Sequence, residues 1–227
     1  VKQSDSPGLR ISGLSYQIEG RTLLDSVELA VSPGESVAVT GPSGSGKSTL
    51  LMCILGLIKP QAGTITAGGR EITGLRPTQL AQVRREALGM VFQFGELLPE
   101  LSPVENVALP ILLDGGRHQD AYRRAEELLD ELGVPAGSTP TGMLSGGERQ
   151  RTAVARALIT EPDVLLADEP TGALDPDAKE AVARLLFTTA RERGCALLLV
   201  THDLSVAARA DRRHELLGGI LAEAGAL

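Results

Sequence analysis

The sequence predicts an α/β fold: a parallel-sheet core, an antiparallel β region ahead of it, and a helical segment inserted into it. Three observations carry this prediction. Apolar residues alternate from Leu9 onward, as half-buried antiparallel strands require. Short apolar runs at Ser36–Thr40, Val164–Ala167 and Ala196–Val200 have the character of strands buried on both faces. Between them, Phe94–Arg151 changes character: a proline- and leucine-rich stretch leads into an amphipathic helix.

Taken in order, Leu9, Ile11, Leu14, Tyr16 and Ile18 carry the alternation, and Gly20 and Arg21 form its turn. Leu29–Val31 begins another strand, ended by Pro33 and Gly34. Ser36–Thr40 is a strand, and a glycine loop follows at once. Thr49–Ile58 reads as a helix, Gln61–Thr73 as a hairpin, Pro77–Leu88 as a helix and Gly89–Phe92 as a short strand ending at Gln93. Ala121, Ala125, Leu128, Leu129 and Leu132 fall at helical spacing, with Gly133 as the stop. Ala178–Arg193 is the crossover helix between the last two core strands. The expected organisation is one domain over residues 9–227. Its core lobe comprises 9–93 and 152–227, its helical lobe about 94–151, and residues 1–8 form a frayed polar arm.

Composition bounds the partners. The chain has 227 residues, a net charge of −7, 2% aromatics and no Trp. An aromatic platform for single-stranded nucleic acid is thereby disfavoured, and so is a basic face for a phosphate backbone. Cys53 and Cys195 have no metal spacing and make no disulfide framework, and both read as buried, reduced thiols. The apolar run Leu50–Ile58 is far short of a membrane span, and the N-terminus lacks the form of a signal peptide. The expectation is a soluble chain; work at a membrane would need another subunit to supply the span.

The glycine loop Gly41-Pro42-Ser43-Gly44-Ser45-Gly46-Lys47-Ser48-Thr49 fits G-x-x-x-x-G-K-[ST], with a strand before it and a helix after it. Its glycines let backbone N–H groups turn inward around phosphate oxygens, and the helix adds its positive end. Lys47 is placed to reach β- and γ-phosphates, and the Ser48 hydroxyl to ligate Mg²⁺. Asp168 and Glu169 close the run Val164–Ala167. One carboxylate there can hold Mg²⁺ through water while its neighbour polarises the attacking water. A solvated acidic turn would read the same in isolation; the phosphate loop tells against it. A lone His after a strand, such as His202, is more often structural. Yet Gly41, Gln93, Asp168 and His202 all fall just past the carboxyl ends of expected core strands, the rim where parallel sheets bind ligands. In Leu144–Gln150, Ser145 and Glu148 have capping-box spacing before a helix running to about Thr160. Gly146 and Gly147 leave N–H groups bare for an anion, although a well-capped helix alone would give the same pattern.

These motifs, in this order, resemble the ATPase subunits of ABC transporters, from about Leu9 to Gly219. Gly41–Thr49 resembles the Walker A loop and Gln93 the Q-loop glutamine. Leu144–Gln150 resembles the LSGGQ motif, with Glu148 in place of the commonest Gln. Asp168 and Glu169 resemble the Walker B aspartate and catalytic glutamate, and His202 the switch histidine. Ala173-Leu174-Asp175 is similar to the D-loop, preceded by Gly172 where Ser is frequent. The resemblance implies a P-loop NTPase (RecA-like) core that binds ATP and Mg²⁺. Ser48, Gln93 and Asp168 would sit at the metal, with Asp168 acting through water. Lys47, Glu169 and His202 would carry catalysis, and Asp175 communication between copies. Tyr16 is similar in placement to the aromatic that stacks on adenine, against the competing reading of a core tyrosine. His118 and His214 match no motif and are expected at the surface. The family further implies a head-to-tail dimer. Each ATP would lie between one copy's Walker A loop and Ser145, Gly146, Gly147 and Glu148 of the other.

A narrower likeness rests on Leu88–Gln93, Leu97–Pro99, Leu101, Val104–Val107 and Thr171–Asp175. These are similar to the group of lipoprotein-releasing, macrolide-exporting and cell-division ATPases, which pair with separate permeases. That implies a peripheral protein on the cytoplasmic face of the cell membrane. It would drive export or extraction of a hydrophobic or amphipathic substrate: a lipoprotein, drug, peptide or haem. Leu97, Leu98 and Leu101 would receive a short permease helix, unless they pack the helical lobe instead. Three other readings compete: a soluble ABC ATPase serving iron–sulfur assembly or cell-envelope regulation, a DNA-repair or translation ABC protein, and a non-hydrolysing subunit. The second lacks its coiled coils, zinc modules or twin cassettes here, and intact Lys47, Asp168, Glu169 and His202 tell against the third.

Overall fold

The computed structural model describes residues 8–135 and 140–224. Most of the expected arm lies outside them. Gly8, assigned to that arm, is instead buried, and its carbonyl accepts a bond from the Gly68 N–H at 2.9 Å.

Strands β1 (Leu9–Ile18) and β2 (Arg21–Val31) form a long antiparallel hairpin. The turn is Glu19–Gly20, both with positive φ, so Arg21 belongs to β2 rather than to the turn, and β2 starts well before the expected Leu29. Strand β3 (Ser36–Thr40) leads through the glycine loop into helix α1 (Lys47–Ile54), which starts and stops earlier than expected. Next come β4 (Ala62–Ala67), β5 (Arg70–Glu71), α2 (Pro77–Ala87) and β6 (Leu88–Val91). The helical segment holds α3 (Pro103–Leu113), α4 (His118–Glu131) and α5 (Gly146–Leu158). The chain then runs through β7 (Val164–Asp168), α6 (Pro176–Arg193), β8 (Ala196–Val200) and the short α7 (Leu204–Ala207). It closes with β9 (Arg212–Leu217) and β10 (Ile220–Glu223), two strands with no counterpart in the sequence reading.

Two sheets result. One has the order β2-β1-β4-β5; the other has the order β10-β9-β3-β8-β7-β6. In the larger sheet all neighbours are parallel except β10 against β9. The central strands carry apolar runs, Val37–Val39, Val164–Ala167 and Ala196–Val200, because each is covered on both sides. Val164, Leu166, Leu198 and Val200 face the core shared with α1 and the antiparallel sheet. Leu165, Ala167, Leu197 and Leu199 face the core shared with α3 to α6. Helix α5 packs against both β6 and the helical segment, and it continues past Arg151, so residue 151 lies inside a helix rather than between lobes.

Cys53 and Cys195 are buried free thiols, and burial pushes both up to about 11. His118 stacks on Tyr122 at the surface. His214 departs from expectation: it is buried on β9 beside Val39 of β3, and its Nε2 has no partner among the described residues.

Candidate active site

The parallel sheet delivers four chain segments to one rim. Strand β3 ends at Thr40, β6 at Val91, β7 at Asp168 and β8 at Val200. The residues just beyond them line a cavity of about 540 Å³ with Ser43, Gly44, Gly46, Lys47, Ser48, Thr49, Gln93, Asp168, Glu169 and His202 on its wall. That volume lies within the range of small-molecule and cofactor sites.

The glycine loop is shaped by its surroundings. Gly41 has φ +144°, and a Cβ there would sit 2.4 Å from the Leu216 carbonyl oxygen. Gly46 has φ +108°, and a Cβ would sit 2.5 Å from the Leu23 carbonyl oxygen. Any side chain at either position would push the loop off strands β9 and β2. Gly46 also caps α1 without a side-chain acceptor, so the first N–H groups of that helix are left for an anion. Lys47 is nearly buried, and its Nζ donates to the carbonyls of Gly41 at 2.9 Å and Pro42 at 3.0 Å. The loop thus holds its own lysine folded over the place where phosphates would enter. Ser45 stands behind the loop, its N–H bonded to the Pro42 carbonyl at 3.2 Å.

Burial, chiefly, and the neighbouring Glu169 charge raise the Asp168 carboxyl, while a hydrogen bond from Ser48 and the charge of Lys47 oppose them. Ser48 and Asp168 therefore already meet as hard oxygen donors. Among the described residues no group of three or more His, Cys, Asp or Glu could hold a metal unaided. A hydroxyl, one carboxylate and the amide of Gln93 fit Mg²⁺, which usually takes few protein ligands and completes its shell with phosphate oxygens and water.

Glu169 has φ +46°, an uncommon left-handed conformation for a residue with a side chain. Its N–H is fixed by the Val200 carbonyl at 2.9 Å. One carboxylate oxygen accepts the His202 backbone N–H at 2.9 Å and lies 2.7 Å from His202 Nδ1. The other accepts the Thr201 hydroxyl at 3.0 Å. With Nδ1 carrying its proton toward the carboxylate, Nε2 of His202 is left facing outward.

Two further expected site elements do not line this cavity, one of them, Ser145–Glu148, being expected to serve the site of another copy. Tyr16 is partly buried against the core and does not line the cavity; the apolar wall there is Ile18, 48% exposed, and Leu23. The Ser145–Glu148 end of α5 does not line it either. There the Glu148 N–H donates to Ser145 Oγ at 3.3 Å, and the Glu148 carboxylate accepts the Ser145 N–H at 2.8 Å and its hydroxyl at 2.6 Å. The Ser145 hydroxyl and backbone hold the Glu148 carboxyl below the usual range. Asp175 caps α6, accepting the N–H groups of Asp177 at 3.1 Å and Ala178 at 3.0 Å.

The sequence reading missed several residues that fasten these parts together. Gln150 of α5 donates to the Phe92 carbonyl at 2.8 Å, next to Gln93. Arg156 donates to the carbonyls of Gly95 and Glu96, both at 2.7 Å. Lys179 of α6 pairs with Asp203 at 2.7 Å, and that pairing is the main cause holding the Asp203 carboxyl well below the usual range. Arg21 enters the cavity from the hairpin. Only its charge was legible beforehand, since its reach depends on where the hairpin lies.

Comparison with known proteins agrees with this geometry. The family model described as "ABC transporter" matches residues 24–172. The lipoprotein-releasing system ATP-binding protein LolD of Chromohalobacter salexigens is 45% identical over 203 residues, covering 89% of this chain and 86% of its own. That of Bordetella avium is 47% identical over 202 residues, covering 88% and 87%. A dimeric post-hydrolysis structure of the ATP-binding cassette MJ0796, bound to ADP and Pi, superposes with TM-score 0.83 at 33% identity and covers 96% of this chain and 100% of that one. A phosphate loop, a paired glutamate and histidine at one rim, and this degree of likeness lead to one conclusion: the chain belongs to the ABC transporter family, as an ATP-binding subunit with ATPase activity.

Proposed function

We propose that this subunit works as a head-to-tail pair. It would close around two Mg-ATP and drive a separate membrane permease that extracts lipoproteins from the cytoplasmic membrane, from whose cytoplasmic face it acts. The observation that carries the reading is the divided phosphate machinery. The glycine loop, Ser48, Gln93, Asp168, Glu169 and His202 share one cavity, while the open α5 end at Ser145–Glu148 lies outside it. An anion-binding helix end set apart from the nucleotide cavity suits the γ-phosphate held by another copy. The dimeric MJ0796 cassette supports that pairing, and the lipoprotein-releasing relatives support the cargo.

In this reading the residues have distinct tasks. Lys47 and the N–H groups of the loop and α1 hold the β- and γ-phosphates. Mg²⁺, when bound near Ser48, Gln93 and Asp168, offsets phosphate charge. Glu169 orients and deprotonates the attacking water, and His202 holds Glu169 and reaches the γ-phosphate side through Nε2. The base rests over the hairpin near Ile18 and Tyr16. The exposed apolar residues Phe94, Leu98 and Met143 receive a short helix of the permease. Two lobes, a core and a helical one joined through Gln93, would then move together as the site closes.

Size-exclusion chromatography of Glu169→Gln tests the pairing. With Mg-ATP it is expected to elute at twice the monomer mass and without nucleotide as a monomer; a monomer under both conditions counts against the two-copy site. Proteoliposomes holding the permease and a labelled lipoprotein test the cargo: ATP-dependent release is expected, and turnover without release would exclude lipoprotein extraction.

A further inference from the structure

The hairpin tip brings a second permanent cation into the cavity, one that none of the motifs supplies. Arg21 is the first residue of β2 and pairs in register with Ile18 across the Glu19–Gly20 turn. Its guanidinium reaches the glycine loop, where Nη2 donates to the Gly44 carbonyl at 2.9 Å. Gly44 has φ +73°, and a Cβ there would lie 3.8 Å from Arg21 Nη2. The hairpin is therefore latched to the middle of the phosphate loop by one of the five N–H donors that a guanidinium carries in a rigid fork.

The position of Arg21 follows from its neighbours. Lys47, Ser48, Asp168 and Glu169 mark the end of the cavity where the terminal phosphates are held, and Ile18 and Leu23 form its apolar wall. A nucleotide laid between the two must pass its innermost phosphate beneath the hairpin tip. Lys47 is held by two carbonyls of its own loop. Arg21 spends one bond on Gly44 and is the other permanent cation lining the cavity.

We infer that Arg21 is a nucleotide ligand of this chain, its guanidinium donating to the α-phosphate of the bound adenine nucleotide while it stays latched to Gly44. This rests on the ATP-site reading above. A charge-assisted contact of this kind is worth about tenfold or more in affinity. Because Arg21 is exposed, its replacement should leave the fold intact.

The test is equilibrium titration of wild type, Arg21→Gln and Arg21→Lys with ADP and with ADP carrying sulfur at the α-phosphate, with circular dichroism as the folding control. Arg21→Gln is expected to weaken ADP about tenfold and to abolish the sulfur penalty seen in wild type, and Arg21→Lys to recover most of the affinity. Unchanged ADP affinity in Arg21→Gln overturns the inference. So does a wild type without a sulfur penalty, or a penalty that persists in Arg21→Gln, since Arg21 would then act only by holding Gly44. A wild type that fails to bind ADP at all removes the ATP-site reading itself.

Discussion

At the scale of single residues, Glu169 is the most constrained. Its backbone is in a left-handed conformation, the Thr201 hydroxyl and the His202 N–H donate to its carboxylate, and His202 Nδ1 lies 2.7 Å from it. Such strain persists only where the surroundings enforce it. Glu169→Gln keeps the shape but loses the base, so steady-state turnover should fall roughly 10²-fold while equilibrium ATP affinity stays within about threefold. A variant that turns over at the wild-type rate would assign the base elsewhere. His214 leads to a pH prediction. Burial first, and the Arg212 charge second, lower its proton affinity in the folded chain. An unfolded chain takes up that proton below about pH 6.5, so this contribution is intact above that value and is lost as pH falls through the lower folded value. The urea midpoint should drop between pH 7.5 and 5.5, and the drop should be smaller in His214→Leu; equal drops would show that the buried imidazole is not responsible. The glycines of the loop were legible because only a residue without Cβ fits against Leu216 and Leu23. The path of the strand around Tyr16 was not, because β1 shifts register on either side of it. Strict alternation cannot foresee a bulge, so the place of Ile18 on the cavity wall was not legible.

At the scale of elements, a cap alone did not make a helix legible: α5 was read from its Ser145–Glu148 spacing, α4 from its apolar periodicity without a side-chain cap, and α3 was not read as a separate helix despite its box. Ser102 and Glu105 form a capping box on α3, as Ser145 and Glu148 do on α5, and Asp175 caps α6. Ser102→Ala should cost about 1 kcal/mol, which is roughly 2–4 °C in melting temperature for a chain of this size. Asn106 should matter more. It is fully buried, accepts the Leu98 N–H at 2.8 Å and donates to the carbonyls of Leu98 at 3.0 Å and Leu101 at 3.3 Å. Asn106→Leu should cost about 2–3 kcal/mol, because it strands these backbone groups; a loss below that of Ser102→Ala in chemical denaturation would show the loop satisfied by other means. Strands β9 and β10 escaped the sequence because Arg212-Arg213-His214-Glu215 looks solvated. Only pairing with β3 makes it a strand.

At the scale of the whole molecule, α5 is the mechanical link. One end carries Ser145–Glu148, its middle bonds Phe92 through Gln150, and Arg156 grips Gly95 and Glu96. Anything that shifts α5 moves the backbone beside Gln93. The apolar residues on that side divide in a way the sequence could not show. Leu97 packs into the helical core, whereas Leu98 is 45% exposed. Leu98→Asp should therefore abolish co-purification with the permease and leave the isolated chain's ATPase unchanged, and persistent association would place docking elsewhere. The open end of α5 has one more consequence, which concerns inheritance rather than geometry. On the proposed pairing, Lys47→Ala and Ser145→Arg damage different halves of a shared site. Each would be inactive alone. Mixed in equal amounts, half of the randomly formed pairs would carry one sound site of two, restoring up to about a quarter of wild-type activity. Two null alleles of one gene would then complement each other in the same cell.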